Sequence, residues 1–165
     1  MDRNYPRVTV SRKCERFIKD GHIWVYHDEI REIDGSYENG DIVDVLTEKG
    51  KYLGSGYIND NSKIRVRIIS KNANDRFDEA FYRRRIDYAI DYRLTVMGDD
   101  FSSCRLIFGE ADSFPGLTVD KFENVLVTQV LSLGAERIKD SMFRGLVESL
   151  RERGHKIDAI YERND

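Results

Sequence analysis

The sequence predicts an α+β protein in two parts: a small β-barrel over residues 1–72, then a small α/β domain over residues 73–165 that opens on a long helix. Three observations carry this reading. Residues 42–70 are a run of short apolar strands broken by polar turns. The stretch from Arg76 to Met97 holds neither Gly nor Pro. Strand, helix and strand patterns follow one another from Val125 to Tyr161. Many short strands with one short helix favour a barrel, whereas a strand-helix-strand crossover requires parallel pairing in at least part of the second sheet.

Taken in order, Val8 to Val10 reads as a strand. Ser11 is placed to cap a short helix in which Cys14, Phe17 and Ile18 share helical spacing, and Gly21 closes it. In GHIWVY, residues 21–26, Trp24 and Tyr26 fall on one face of an extended segment. IVDVL, YLGSGYI and KIRVRIIS follow as strands with turns at residues 48–51 and 59–62. In the last of them Ile64, Val66 and Ile68 alternate with Lys63, Arg65 and Arg67, the period of a strand with one buried face. KNAND, residues 71–75, is the polar joint before the long helix. There Phe77, Phe81, Tyr88 and Tyr92 recur at multiples of helical spacing and read as core, while Arg83 to Arg85 read as a solvated face.

The second part continues with strands at residues 105–108 and 117–119 around a loop from Gly109 to Gly116. Pro115 presets φ and Gly116 admits φ > 0, so the pair marks a turn. A strand at 125–132, a helix from about Ala135 to Arg153 ended by Gly154, and a strand from Ile157 to Tyr161 complete the pattern.

Composition narrows the function classes. The 165 residues are 40% apolar and 11% aromatic, enough to fill one or two cores. Net charge is -3, with 13 basic and 12 acidic residues in 1–72 against 14 and 18 in 73–165, so a nucleic-acid partner must be met by a local patch. Cys14 and Cys104 stand far apart without metal-ligand spacing, and His22, His27 and His155 are scattered, so no metal site is expected. No apolar leader opens the chain and no apolar run approaches the ~18 residues of a membrane helix. The expectation is a soluble, cytoplasmic protein with no membrane partner.

No dinucleotide, Walker, zinc-protease or nucleophile-elbow motif occurs. The close pair Gly54 and Gly56 lies inside a strand and reads as a bulge or close backbone approach. Glu110 and Asp112 on the 109–116 loop, with Arg105 before them, are the one acid-base constellation. They equally suit a solvated turn whose carboxylates bond its amides. Basic Lys63, Arg65, Arg67 and Lys71, with His22, Trp24, Tyr26, Tyr52 and Tyr57 as stacking surfaces, suit RNA. Surface charge and barrel core would account for the same residues.

The order of these segments resembles one family: the S-adenosylmethionine-dependent large-subunit ribosomal RNA cytosine-5 methyltransferases. GHIWVY and LGSGYINDNSKIRVRIIS, residues 53–70, resemble its RNA-binding PUA domain, a small pseudo-barrel. FYRRRI at 81–86, RLIFGEADSFPGLTVDKF at 105–122, LVTQVLSLGAE at 126–136 and IYERND at 160–165 resemble its central domain. The resemblance implies that residues 1–72 bind ribosomal RNA through His22, Trp24, Lys63, Arg65, Arg67 and Lys71. It implies a substrate-side loop of Arg105, Glu110 and Asp112, with Arg105 anchoring one of the two acids. The family's C-terminal Rossmann-like domain, which holds S-adenosyl-L-methionine and the nucleophilic cysteine, has no counterpart in these residues. The chain is therefore expected to be a truncated N-terminal portion with no catalytic residue and no cofactor of its own. Its task would be to grip RNA while the target base is drawn out of its stack. A stand-alone PUA-type RNA-binding protein and a self-associating module, such as a homodimer without RNA affinity, are the alternatives.

Overall fold

The computed structural model describes residues 3–164; Asp165, which ends IYERND, lies outside them. The chain divides into two compact units, the first through Asp75 and the second from Arg76.

In the first unit β1 (Arg7–Val10), β2 (Trp24–Tyr26), β3 (Ile30–Asp34), β4 (Ile42–Thr47), β5 (Tyr52–Ile58) and β6 (Ile64–Ser70) form one sheet in the order β2-β6-β5-β4-β1-β3. β1 and β4 run parallel, and the other neighbours are antiparallel. No ladder joins the end strands β2 and β3 among the described residues, so the barrel expected from the sequence is a curled sheet left open along one line. Its concave side closes on Val8, Val10, Val25, Val43, Val45, Ile58, Val66 and Ile68. Helix α1 (Arg12–Lys19) covers one end with Cys14 and Ile18, its first turn capped by the Ser11 hydroxyl, which accepts from the Cys14 amide at 3.1 Å. Phe17, which shares helical spacing with Cys14 and Ile18 in the sequence, is 44% exposed. β3 escapes the sequence pattern because Arg31, Glu32 and Asp34 leave only Ile30 and Ile33 to touch the core.

Gly54 and Gly56 are close-approach glycines, and a register shift falls between Ser55 and Gly56. A Cβ on Gly56 would lie 2.0 Å from the Arg67 carbonyl oxygen. The neighbouring strand thus fills the space that a phosphate or cofactor would need.

The second unit stacks α2 (Glu79–Met97) and α3 (Leu133–Glu152) against a four-stranded sheet. Its order is β10 (Ala159–Glu162), β9 (Val125–Val130), β8 (Leu117–Phe122), β7 (Ser103–Phe108). β9 and β10 are parallel across α3, the crossover the sequence predicts. α2 begins at Glu79 rather than Arg76 because the Asp78 carboxylate accepts from the Phe81 amide at 2.9 Å and so marks its cap. Phe81, Ile86 and Ile90 of α2 and Met142, Leu146 and Leu150 of α3 are buried. Tyr88 and Tyr92, expected in the core, are 71% and 60% exposed: along α2 the covered face is that of Tyr82, Ile86, Ala89 and Ile90, and Phe81, which shares the spacing of the two tyrosines, is buried only near the helix start.

Arg83 is also no solvated charge: it pairs with Asp87 on its own helix and with Glu148 and Glu152 on α3. Asp87 in turn accepts from Ser149 Oγ and from Arg153 Nη1, while Arg153 grips Asp91 with two bonds of 2.6 and 2.9 Å. Burial pushes the Asp87 carboxyl up. The hydrogen bonds from Ser149 and Arg83 and the positive fields of Arg83 and Arg153 outweigh this and hold it below the usual aspartate value. A depressed folded-state value means stability that is complete above the unfolded pKa of about 3.9 and is lost as pH falls through the folded one. Asp87→Ala is therefore expected to cost about 1–2 kcal/mol at neutral pH. Thermal melts across pH should show the gap from wild type closing below about pH 4; a gap independent of pH would remove the carboxylate from this role.

Candidate nucleic-acid interface

β2 is three residues long, and its alternation decides the surface. Val25 is fully buried, so Trp24 and Tyr26 must point outward, at 37% and 47% exposure. Their rings meet edge to face with centroids 6.5 Å apart. Register across the ladder sets Trp24 opposite Arg67, whose guanidinium lies 5.8 Å from the indole centroid. From α1, Phe17 extends the same kind of surface, with the His22 ring 5.4 Å away and the Lys13 ammonium 5.6 Å over its face. At the far end the His27 amide donates to the Lys63 carbonyl, and the exposed Lys63 side chain stands beside Tyr26 in the same hollow. The result is exposed aromatic faces interleaved with cations. Bases can stack on the rings while phosphates meet the charges, without hydrogen-bond readout of sequence.

Of the six predicted residues, His22, Trp24, Arg67 and Lys63 fall on or at the end of this strip. Arg65 turns instead to the 59–62 turn, pairing with Asp60 at 3.1 Å and donating to the Asp60 carbonyl. Lys71 donates to the Ile18 carbonyl in the last turn of α1. Both fasten the fold. Phe17 and Lys13 belong to the strip without having been singled out, because a short helix leaves open which side its aromatic takes. Tyr57 is buried, and Tyr52 lies under the Arg3 guanidinium, so neither offers a free stacking face.

The second predicted site takes a different form. Arg105 does not anchor Glu110 or Asp112. It stands opposite Asp120 in the β7–β8 ladder and binds that carboxylate with two bonds of 2.7 and 3.0 Å. Asp112 is held by Arg93 of α2, at 2.7 and 3.3 Å, and accepts the Phe108 amide at 2.7 Å. Arg93 also donates to the Arg105 carbonyl, and Arg85 donates to that of Ser113. Beyond it, Phe114, Pro115, Gly116 and Leu117 form the expected turn, with the Leu117 amide donating to Phe114 and Gly116 at φ +78°. The Ser132 hydroxyl donates to the Pro115 carbonyl and caps α3. The 109–116 loop is thus a joint that locks two helices to the β7–β8 hairpin, with Asp112 spent on holding it.

Both thiols are buried. Burial pushes Cys14 up to about 11, with the Glu29 carboxylate adding to the shift, and burial likewise raises Cys104. A thiol so shifted carries little thiolate at neutral pH and is a poor nucleophile. Among the described residues no His, Cys, Asp and Glu cluster is placed to hold a metal, and no helix is long and apolar enough to cross a membrane.

A curled sheet with one capping helix and an aromatic-basic edge defines a class, and residues 8–71 match the PUA-like domain family. Over 165 residues the chain is 32% identical to ribosomal RNA large subunit methyltransferase I of Klebsiella pneumoniae subsp. pneumoniae, covering 99% of this chain and 40% of that one. The enzyme of the same name from Salmonella arizonae is 33% identical over 163 residues, 98% of this chain and 39% of the relative. The chain is thus similar to these methyltransferases over nearly its whole length, with a PUA-like match at residues 8–71, and it spans about two fifths of their length. A solved structure from Streptococcus mutans described as a SAM-dependent methyltransferase superposes with a TM-score of 0.76. It covers 95% of this chain and 40% of that one, and at 16% identity the likeness is one of fold.

Proposed function

We propose that this chain is the RNA-binding and substrate-positioning portion of a cytoplasmic, S-adenosylmethionine-dependent ribosomal RNA cytosine-5 methyltransferase. Residues 1–72 grip ribosomal RNA, and residues 73–165 form a central domain whose 109–116 loop shapes the substrate side. The observation that carries the reading is the strip of Phe17, His22, Trp24 and Tyr26 interleaved with Lys13 and Arg67, on a domain whose relatives are named as ribosomal RNA methyltransferases. In this reading methyl transfer, the donor and the nucleophilic cysteine lie outside residues 1–165. That agrees with two buried, up-shifted thiols and a glycine pair closed by the adjacent strand. The role of these residues is to hold the strand near the target base while the base is unstacked.

Fluorescence anisotropy with a labelled large-subunit ribosomal RNA hairpin tests this. Loss of one stacking platform costs about 1–3 kcal/mol, so Trp24→Ala should weaken binding roughly five- to 150-fold. Arg67→Ala should reduce the salt dependence by about one charge. Affinity unchanged in both variants would reject the strip. Arg65→Ala should instead loosen the 59–62 turn, with a smaller effect on RNA.

A further inference from the structure

Away from the aromatic strip, α1 and the turn between β4 and β5 enclose a groove of about 610 Å³. Arg12, Arg16 and Lys19 line it from one helical face, at i, i+4 and i+7, while Cys14 and Ile18 hold the opposite face in the core. Lys49 and Lys51 line it from the turn. That turn is fixed: the Thr47 hydroxyl accepts from the amides of Lys49 and Lys51 at 3.2 and 3.0 Å, and Gly50 supplies φ +74°.

Two acids share the groove, and each is already matched. Glu15 pairs with Lys19 at 2.5 Å and Glu48 with Arg12 at 3.5 Å. Arg16, Lys49 and Lys51 have no ion pair among the described residues, so three uncompensated positive charges converge there. The Glu15 carboxyl registers the field. Its bond from Lys19, and then the charges of Lys19, Lys49 and Arg12, hold it below the usual glutamate value. Cations gathered on a rigid turn and one helix face repel one another, and an anionic ligand relieves that repulsion.

No aromatic ring lines the groove, so it suits phosphates rather than bases. The neighbouring face of the same helix carries Lys13 and Phe17 of the strip. α1 therefore stands between a surface that stacks bases and one that attracts phosphates. We propose that the α1/β4–β5 groove binds the phosphate backbone of the RNA whose bases stack on the Trp24 strip, extending the footprint across α1. This rests on the RNA-binding reading above.

Binding of a labelled single-stranded RNA, measured from low to physiological salt, separates the two ideas. Neutralising three phosphate contacts should flatten the plot of log K against log salt by about two for a single strand, so Arg16→Gln/Lys49→Gln/Lys51→Gln should lose that much slope. Lys49→Gln/Lys51→Gln, confined to the turn, should lose about two thirds as much slope as the triple and serves where the triple variant does not fold. Glu48→Gln, which releases Arg12, should bind more tightly, by about threefold, with a steeper slope. Trp24→Ala should lower affinity at unchanged slope. If wild type binds RNA, weakened by Trp24→Ala, yet the lysine variants keep the wild-type slope, the groove is refuted and the strip stands. If wild type binds no RNA, both fall.

Discussion

Replacing Asp44 with alanine is expected to remove about 3–5 kcal/mol from the stability of the first unit, the loss that follows when one partner of a buried ion pair is deleted. Asp44 is 4% exposed and receives the Arg3 guanidinium through two bonds of 2.8 and 3.0 Å, with the Ser55 hydroxyl donating as a third. Arg3 also donates to Ser55 Oγ and to the carbonyls of Ala73 and Asp75, and it lies 5.3 and 5.1 Å from the ring centroids of Tyr5 and Tyr52. One side chain thus fastens the start of the unit, strands β4 and β5, and the polar joint at its end. Without Asp44 the guanidinium keeps its burial and loses its countercharge. Urea unfolding followed by Trp24 fluorescence should show the lowered midpoint. Arg3→Met/Asp44→Leu, which removes both charges and keeps volume, should recover much of the loss. A cost under about 1 kcal/mol for Asp44→Ala would mean that water or movement of residue 3 already screens the pair.

The sequence carried those parts of the fold whose information is local. The alternation in β6, the Ser11 cap, the Pro115–Gly116 turn and the β9-α3-β10 crossover are each written within a few residues. Pairings between distant segments were not legible. β3 has too few apolar residues to show a period, and it exists because β1 offers it an edge; the parallel match of β1 with β4 leaves no mark in either strand. The same division holds at the sites. Trp24 and Tyr26 could be placed on one face because they stand two positions apart, with only Val25 between them. The charge partner of Asp112 could not be found, because Arg93 sits on α2 and becomes a neighbour only when α2 packs on β7. Arg105 was the nearer cation in sequence, yet a strand turns it toward Asp120, its cross-strand neighbour.

Gly56→Ala is expected to cost about 3 kcal/mol or more and to weaken RNA binding in the same step. The added methyl carbon would lie 2.0 Å from the Arg67 carbonyl oxygen, 2.5 Å from its carbon and 2.7 Å from the Ile68 Cα. All three are backbone atoms, so no rotamer change relieves the clash. β5 lies between β4 and β6, and it can make room only by separating from β6. That movement takes Arg67 away from Trp24 and Val66 out of the core, so stability and the aromatic strip fail together. Two other glycines separate this cause from simpler ones. At Gly54 the nearest atom is the Ile68 Cγ2, 2.8 Å away and on a side chain, although the Ser70 carbonyl oxygen at 2.9 Å limits the relief, so alanine there should cost less. At Gly21 nothing lies within 4 Å, and only φ +107° opposes a side chain, at a cost of about 1 kcal/mol. Melting temperatures should therefore fall in the order Gly21→Ala, Gly54→Ala, Gly56→Ala, the last lowest, with RNA affinity lost most at Gly56. A Gly56→Ala protein that melts with wild type and binds RNA as tightly would show that the β5–β6 contact yields at no cost, and that the position of Arg67 does not depend on it.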